Sequence, residues 1–208
     1  MTKAKLALLP TYKSVLAMSR AQFLRHIRGS EQPADKVYIG VCIFRVDVES
    51  SCPSVLLLRR SPRWQQHPGN WELPGGKVGD GDFCISAAVA RLVSEESGLK
   101  VTKILGALRE TRHVNRIKIL EWDDDKDVAV AQVSDEGSSE FNRRELRKEC
   151  LQLNFTVLVD DVEDAVLMSK NHDGMVWVNL SRVEGLQMSS DLRGMIYEGL
   201  AWAGEYLF

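Results

Sequence analysis

Residues 71–99, WELPGGKVGDGDFCISAAVARLVSEESGL, decide the fold of this 208-residue chain. Two glycines after a proline let the backbone adopt unusual angles and let its N–H groups approach a ligand closely. The apolar spacing that follows is helical and ends at Gly98, where a left-handed C-cap belongs. The last turns of this helix carry Arg91, Glu95 and Glu96. An arginine with paired carboxylates suits a Mg²⁺–phosphate site, although solvated surface glutamates would give the same local pattern.

This stretch resembles the Nudix box. The family pattern is glycine, five residues, glutamate, seven residues, then Arg-Glu-aliphatic-any-Glu-Glu-any-Gly-aliphatic. Here the box occupies residues 76–99, from Gly76 to Leu99, and the lead-in matches the usual Trp-x-x-Pro-Gly-Gly. The resemblance implies an α/β fold: a Nudix-type α/β/α sandwich with a mixed sheet and a central box helix. The layout also resembles Nudix proteins of filamentous fungi.

The resemblance implies a metal-dependent hydrolase that cleaves a diphosphate bond in a small molecule, of the type nucleoside diphosphate linked to a second group. The cofactor would be Mg²⁺ (or Mn²⁺), held by Glu95 and Glu96. The catalytic residues would be these two glutamates and Arg91, which is expected to orient a glutamate. The residues expected to bind the substrate are Gly75, Gly76 and Lys77 of this segment, together with Arg59 at the end of a predicted strand.

Two departures from the family pattern bear on activity. Asp82 replaces a glutamate and is separated from Arg91 by eight residues instead of seven, which a loop can absorb. Leu92 stands where the family has a glutamate that is a principal metal ligand. With a rotation of about 100° per residue, Leu92 projects between Glu95 and Glu96, toward the expected metal. We therefore expect one Mg²⁺ rather than two or three, and reduced activity.

Leu92 leaves two further functions open. The chain could be a Nudix-fold enzyme repurposed for secondary-metabolite chemistry, because an apolar residue in a diphosphate pocket suits a terpenoid or polyketide intermediate. It could also be a non-catalytic module that binds a nucleotide. The fold alone does not decide between these reactions.

Other candidate site residues lie outside the box. Arg59 and Arg60 end a predicted strand, and because strand neighbours point to opposite faces, one of them can face a substrate phosphate; Arg59 is the candidate. Trp71 can stack on a base or pack in the core. His113, on a predicted strand, can act as an acid or base, whereas His172 is predicted to lie in a turn.

The rest of the chain divides into an extension and a domain. Residues 1–34 are predicted to be a basic N-terminal extension with a short helix, and residues 35–208 the Nudix domain. Residues 123–150 are strongly charged and are predicted to be an insertion loop or irregular hairpin with a short helix. Strands are predicted over residues 37–46, 55–60, 101–113, 116–122, 153–159 and 175–178, and a final helix ends at residue 206.

Composition limits the partners and the compartment. The net charge of −2 gives no pull toward nucleic acid or anionic membrane, and no stretch reaches the length of a membrane span. The expected partner is a small-molecule diphosphate; relatives commonly form homodimers. Four widely spaced cysteines without a C-x-x-C pair indicate free thiols in a reducing compartment, so we expect a cytoplasmic protein. The basic, acid-free residues 1–30 are alternatively a mitochondrial transit segment.

Overall fold

The computed structural model describes residues 12–28, 33–46, 52–63, 67–120, 129–130 and 143–207. Within these ranges the chain forms helices and strands in the following order: α1 (Tyr12–Leu16), α2 (Arg20–Ile27), β1 (Lys36–Val46), β2 (Pro53–Arg60), β3 (Trp71–Glu72), β4 (Gly75–Lys77), α3 (Ile85–Ser97), β5 (Val101–Ala107), β6 (Thr111–Leu120), β7 (Ala129–Val130), β8 (Arg143–Val159), β9 (His172–Asn179) and α4 (Ser190–Tyr206).

The strands form one mixed sheet around a central parallel pair. β1 runs parallel to β8, with Lys36 opposite Cys150 at one end and Ile43 opposite Val157 at the other. All other described pairs are antiparallel: β2 with β1, β3 and β9; β4 with β1; β5 and β6 with β8; and β7 with β6. The prediction of an α/β fold with a mixed sheet is therefore confirmed.

The alternation of side chains along β1 separates two cores. Val37, Ile39, Val41 and Ile43 are buried in a cluster with α2 and α3. Cys42 and Phe44 point the other way and are buried in a second cluster with α4. Because successive residues of a strand point to opposite faces, one apolar run supplies both cores. The sheet thus lies between two helical layers, as the α/β/α prediction requires.

Helix α3 ends where its sequence predicts. It ends at Gly98, whose φ of 70° is left-handed and whose N–H donates to the Ser94 carbonyl. A glycine adopts this conformation without the clash that a Cβ would cause. Val89 and Val93 are fully buried against the sheet. The end of α3, with its two glutamates, is therefore held at a defined place beside β4.

The described part of the N-terminal segment packs on the α3 side of the sheet. Ser19 and Gln22 form a capping box at the start of α2, and Phe23 is buried in the core. Arg20 also pairs with Asp80, in the loop before α3. Among the described residues, no helix combines the length and apolar character that crossing a membrane would need.

Two strand predictions were wrong in their bounds. The run predicted as one strand over residues 101–113 is two strands, β5 and β6, which both pair with β8. Residues 143–150, predicted as part of a charged loop or short helix, belong to β8, where Arg143 pairs with Leu120 and Gln152 with Thr111. Cross-strand pairing outweighs the local helical preference of this charged run. Most of the predicted insertion, residues 123–128 and 131–142, lies outside the described residues.

Candidate functional site

A cleft with a volume of about 600 Å³ lies beside the glycine loop that precedes α3. One wall is formed by β3, β4 and the start of β9, with Glu96 of α3 among them. The other walls are the first residues of β1 and β6, Gln152 in the middle of β8, and the N-terminal part of α4. This volume is in the range of small-molecule sites, about 300–1,000 Å³.

The arginine of the box anchors the loop before α3. Arg91 binds Asp82 with both arms of its guanidinium: Nε donates to Oδ1 and Nη2 to Oδ2, each at 2.7 Å. The N–H of Gly79 donates to the same carboxylate at 2.7 Å. The shorter aspartate therefore still reaches the arginine, and the extra residue before the helix does not break the contact. Hydrogen bonds from Arg91 are the main reason that the pKa of Asp82 is lowered.

This ion pair predicts a pH-dependent contribution to stability. Asp82→Asn should lower the free energy of unfolding at pH 7 by about 1–2 kcal/mol, a modest value because the Arg91 side chain is one-third exposed. A carboxyl group with a lowered pKa stabilises the fold above its ordinary value of about 3.9 and loses this effect as the pH falls through the folded-state pKa. In urea denaturation, the difference in stability between wild type and variant should therefore be the same at pH 7 and pH 5 and smaller at pH 3.

The matched control for this experiment is Asp80→Asn, two residues away. Asp80 pairs with Arg20, but its side chain is 85% exposed, so its removal should change stability by less than about 0.5 kcal/mol. If Asp82→Asn lowered the free energy of unfolding by the same amount at pH 3 and at pH 7, this result would contradict a charged role for Asp82.

Glu95 is held away from the cleft. Its Oε2 accepts a hydrogen bond from Nη1 of Arg91 at 2.9 Å, one helical turn back, and the side chain is 56% exposed. Neither Glu95 nor Arg91 lines the cleft. These two predicted site residues therefore contact each other, and Arg91 also donates to the Lys77 carbonyl at 3.3 Å, but neither side chain lines the cleft.

Glu96 reaches the wall of the cleft from the last turn of α3. Its Oε2 accepts a hydrogen bond from the N–H of Gly75 at 2.7 Å. Its Oε1 lies farther from its neighbours, 3.5 Å from Ser169 Oγ and 3.7 Å from His172 Nδ1. Burial raises the pKa of Glu96, and the Gly75 N–H and the charge of His172 oppose that rise only in part. The carboxylate is thus fixed by one oxygen and loosely contacted at the other.

A buried histidine links Glu96 to β3 and was missed by sequence reasoning. His172 does not lie in a turn but begins β9, opposite Arg60 of β2. Its Nε2 lies 2.7 Å from Oε1 of Glu72, and its Nδ1 lies 2.7 Å from Ser169 Oγ. Because a carboxylate only accepts, Nε2 carries the proton in this pair. The chain of contacts runs from Glu72 through His172 and Ser169 to Glu96.

Glu72 itself is fixed from two sides. Its second oxygen, Oε2, accepts a hydrogen bond from Arg60 Nε at 2.7 Å. Burial acts to raise its pKa, but the hydrogen bonds and positive charges of His172 and Arg60 outweigh burial, and the pKa is lowered. Glu72 precedes the Pro-Gly-Gly segment in sequence, yet its partner His172 is 100 residues away, so no local pattern identifies the pair.

Leu92 occupies the space beneath the glycine loop. It is 5% exposed and belongs to the core cluster that packs on α3. A Cβ added to Gly76 would lie 2.9 Å from Leu92 Cδ2, so only a glycine fits above this side chain without a shift. Gly75 is more tightly confined, because an added Cβ would lie 2.1 Å from the backbone carbonyl oxygen of Ile39. Leu92 and the two glycines therefore fill the space behind the part of the cleft wall that β4 forms.

The predicted substrate residues separate into two groups. Gly75, Gly76 and Lys77 of β4 line the cleft together with Glu96. Arg59 does not: its Nε donates to Asp173 at 2.8 Å, and its guanidinium lies 5.8 Å from the centroid of the Trp71 ring. Its neighbour on the strand, Arg60, lines the cleft instead. Adjacent strand residues point to opposite faces, and the choice between the two required the sheet.

The carboxylates fit a magnesium ion that is shared with a substrate. In the described part of the chain, no three His, Cys, Asp or Glu side chains are grouped as metal ligands. Mg²⁺, however, is commonly held by one or two carboxylates together with substrate phosphates and water. Glu96, on the cleft wall with its loosely contacted Oε1, suits that mode, and Glu95 lies next to it on the helix.

Solved structures resemble this chain over most of its length. The NUDIX domain of Shewanella oneidensis NrtR, complexed with ADP ribose, is 17% identical, with a TM-score of 0.54 over 92% of this chain and 100% of that chain. A C. elegans Ap4A hydrolase binary complex is 16% identical, with a TM-score of 0.51 over 82% of this chain and 99% of that chain. At these identities the similarity shows the fold.

Comparison at the level of sequence families gives the assignment. No curated protein matches the chain. The model of the NUDIX domain matches residues 36–187, a span that begins at β1, ends after β9 and contains the whole box. A match of this extent, together with the sandwich of helices around a mixed sheet, shows that the chain belongs to the Nudix family.

Proposed function

We propose that this protein is a divalent-metal-dependent hydrolase that cleaves a diphosphate bond in a small molecule, of the type nucleoside diphosphate linked to a second group. The observation that carries the proposal is the place of Glu96. One oxygen of this carboxylate is fixed on the Gly75 N–H, and the side chain faces a cleft whose wall also presents Gly76 and Lys77. A hard cation on Glu96 would meet a phosphate group lying against that wall.

The residues of the chain take distinct roles in this proposal. Glu96 would hold Mg²⁺ or Mn²⁺ at the cleft, whereas Glu95, predicted as a second ligand, is paired with Arg91 outside it. When bound, the ion would neutralise the phosphate oxygens and help to activate a water nucleophile. Arg91 is a positioning residue, since it binds Asp82 and Glu95 and does not line the cleft. The loop before α3 is thereby held in place.

Phosphate contact is assigned to the cationic side chains that line the cleft. Lys77, on β4, lies on the same wall as Glu96. Each of the two strand arginines is paired with a carboxylate, Arg59 with Asp173 and Arg60 with Glu72, but only Arg60 lines the cleft. We therefore transfer the proposed phosphate contact from Arg59 to Arg60 and retain Lys77 and Gly76, while Gly75 shapes the wall and donates its N–H to Glu96. An ammonium group and backbone N–H groups are both suited to anionic oxygen atoms.

A turnover assay tests this function. The probes to use first are ADP-ribose and diadenosine tetraphosphate, because the structures of similar fold are described with ADP ribose or as an Ap4A hydrolase. Products would be separated by anion-exchange chromatography after incubation with Mg²⁺, with Mn²⁺ and with EDTA. We expect cleavage of at least one probe with either metal and none with EDTA. Saturable binding of the probes without any product, under single-turnover conditions, would contradict the proposal.

A non-catalytic nucleotide-binding module is the second candidate. It is favoured by Leu92, which is buried where the family has a metal-binding glutamate, and by the pairing of Glu95 with Arg91. Such a module would keep the cleft and its affinity for a diphosphate while lacking turnover. The single-turnover arm of the same assay separates the two functions, because it measures product per bound ligand.

Cysteine chemistry supports a reducing compartment as the site of action. No disulfide joins any of the four cysteines, which all lie in the described residues, and Cys42 and Cys150 are buried. Burial raises the pKa of the Cys42 thiol to about 12, so that thiol is unreactive at neutral pH. We propose a cytoplasmic location on this basis.

A further inference from the structure

A buried chain of side chains, Glu72, His172 and Ser169, ends beside the carboxylate that the proposed function assigns to the metal. Only 3% of the His172 side chain and 11% of the Glu96 side chain are exposed, so water competes little with the hydrogen bonds among these groups. One oxygen of Glu96 already accepts from the Gly75 N–H. What the protein presents to the other oxygen, Oε1, therefore decides how well Glu96 can bind a cation.

The backbone holds Ser169 at a fixed distance from Glu96. The N–H of Met168 donates to the Glu96 carbonyl, and the N–H of Val166 donates to the Ser97 carbonyl, each at 3.0 Å. The segment before β9 is thereby paired with the last turn of α3. Ser169 Oγ lies 3.5 Å from Glu96 Oε1, at the outer limit of a hydrogen bond. The serine is thus close enough to turn toward the carboxylate without being drawn against it.

Glu72 determines which nitrogen of His172 carries the proton. Its Oε1 lies 2.7 Å from His172 Nε2, and its Oε2 accepts from Arg60 Nε at 2.7 Å, so the carboxylate is held from both sides. Because a carboxylate only accepts, the imidazole proton lies on Nε2, and in a neutral imidazole the other nitrogen, Nδ1, is then an acceptor. The pairing at β3 therefore sets what the serine meets on the far side of the ring.

The hydroxyl group of Ser169 has one hydrogen and two acceptors close to it. Its Oγ lies 2.7 Å from His172 Nδ1 and 3.5 Å from Glu96 Oε1. The N–H of Asn171 donates to the same Oγ at 3.3 Å and occupies one of its lone pairs. Because one O–H serves one acceptor, and 2.7 Å is the length of a strong hydrogen bond, the hydrogen points to His172. Oε1 of Glu96 therefore receives no hydrogen from the serine.

From this arrangement we infer that Glu72 and His172 are positioning residues that keep the hydroxyl hydrogen of Ser169 away from Glu96, so that Oε1 stays available to a divalent cation. Mg²⁺ and Mn²⁺ bind anionic oxygen atoms, and a hydrogen bond to the same lone pair would compete with the ion. The two residues act through the serine and not by contact with the metal. The inference rests on the proposed function, because it takes Glu96 as the metal ligand.

Binding of Mn²⁺ to the metal-free protein, measured by electron paramagnetic resonance, tests this role. In His172→Leu the serine loses its near acceptor and turns to Glu96, so Mn²⁺ affinity should fall about tenfold or more, the usual cost of losing a contact that orients a metal ligand. Adding Ser169→Ala to this variant removes the competing hydrogen and should restore the affinity to within about threefold of wild type. Ser169→Ala alone should bind Mn²⁺ at least as tightly as wild type.

Two further measurements do not depend on the folding of His172→Leu. His172→Gln is the conservative variant, because its amide has both a donor for Glu72 and an acceptor for Ser169, and it should retain Mn²⁺ affinity within about threefold. Nitrogen NMR spectra of the wild-type imidazole rings report the tautomer directly. For His172, whose signals are those missing from His172→Gln, we expect a protonated Nε2 and an unprotonated Nδ1.

His26→Leu is the matched control. This histidine is exposed on α2 and does not line the cleft, so Mn²⁺ affinity should not change. A proton on Nδ1 of His172, or a double variant that binds Mn²⁺ no more tightly than His172→Leu, would overturn the inference while leaving the proposed function standing. If the wild-type protein does not bind Mn²⁺ at millimolar concentration, the metal site of the proposed function fails and the inference fails with it.

Discussion

Glu96→Gln is expected to reduce metal-dependent hydrolysis by at least about 100-fold, the largest effect of any single change in this protein. Loss of a residue that only supports a metal ligand commonly costs about 10–100-fold, and Glu96 is the proposed ligand itself. Glutamine keeps an oxygen that can accept from the Gly75 N–H but removes the charge that would attract Mg²⁺. The measurement is kcat/KM for the probe that the wild-type protein cleaves, over a range of Mg²⁺ concentrations.

The same substitution should leave stability unchanged or raise it. Burial raises the pKa of Glu96, so its ionised form is disfavoured by the fold. For a carboxyl group with a raised pKa, the fold loses stability as the pH rises from the ordinary value of about 4.3 through the folded-state pKa. Without metal, the melting temperature of the wild type minus that of Glu96→Gln should therefore decrease as the pH is raised from 4 to 8. A variant that loses activity only because it unfolds would instead have a lower melting temperature than the wild type.

Glu95→Gln is the matched control on the neighbouring position. Glu95 is half exposed and is held by Arg91 outside the cleft, so we expect a smaller loss of activity, about tenfold. Unchanged hydrolysis in Glu96→Gln would mean that the metal is not bound by α3, and the main support for the proposed function would be lost.

Leu92→Glu is expected to raise Mg²⁺-dependent turnover about tenfold or more, because it restores the carboxylate that the family has at this position. The change carries a cost in the absence of metal. Leu92 is 5% exposed beneath Gly76, and replacing it by a charged group should lower the free energy of unfolding by about 2–5 kcal/mol. Bound metal should return part of that loss, about 2.7 kcal/mol when its concentration is 100 times its dissociation constant.

Thermal denaturation with and without Mg²⁺ measures both effects of this change. Leu92→Gln is the control, since it has the same size as the glutamate variant and no charge. It should be destabilised without recovering stability in Mg²⁺. If the two variants respond identically to Mg²⁺, residue 92 does not face a metal site, and the correspondence with the family's glutamate is wrong at this position.

Much of the fold could be predicted from local sequence because its signals are local. The alternating apolar run of β1, the helical spacing of α3 and the glycine after it each depend on neighbours within a few residues. For the same reason the box was recognisable despite Leu92. The charged run before β8 was predicted wrongly, because its strand form depends on pairing with β6, whose residues lie far away along the chain.

The candidate site also combines features that are local in the sequence with contacts between residues that are far apart along the chain. By itself, the sequence determined that Gly75, Gly76 and Glu96 belong to one short segment, whose spacing brings the loop and the helix end together. Only the tertiary structure decided that Arg60 rather than Arg59 lines the cleft, that His172 joins Glu72 to Glu96, and that Tyr38 lies beside His113. These contacts are set by the register of strands distant in sequence and by the face of the sheet that each side chain occupies. A shift of one residue in register would exchange the two faces, so no local pattern could specify them.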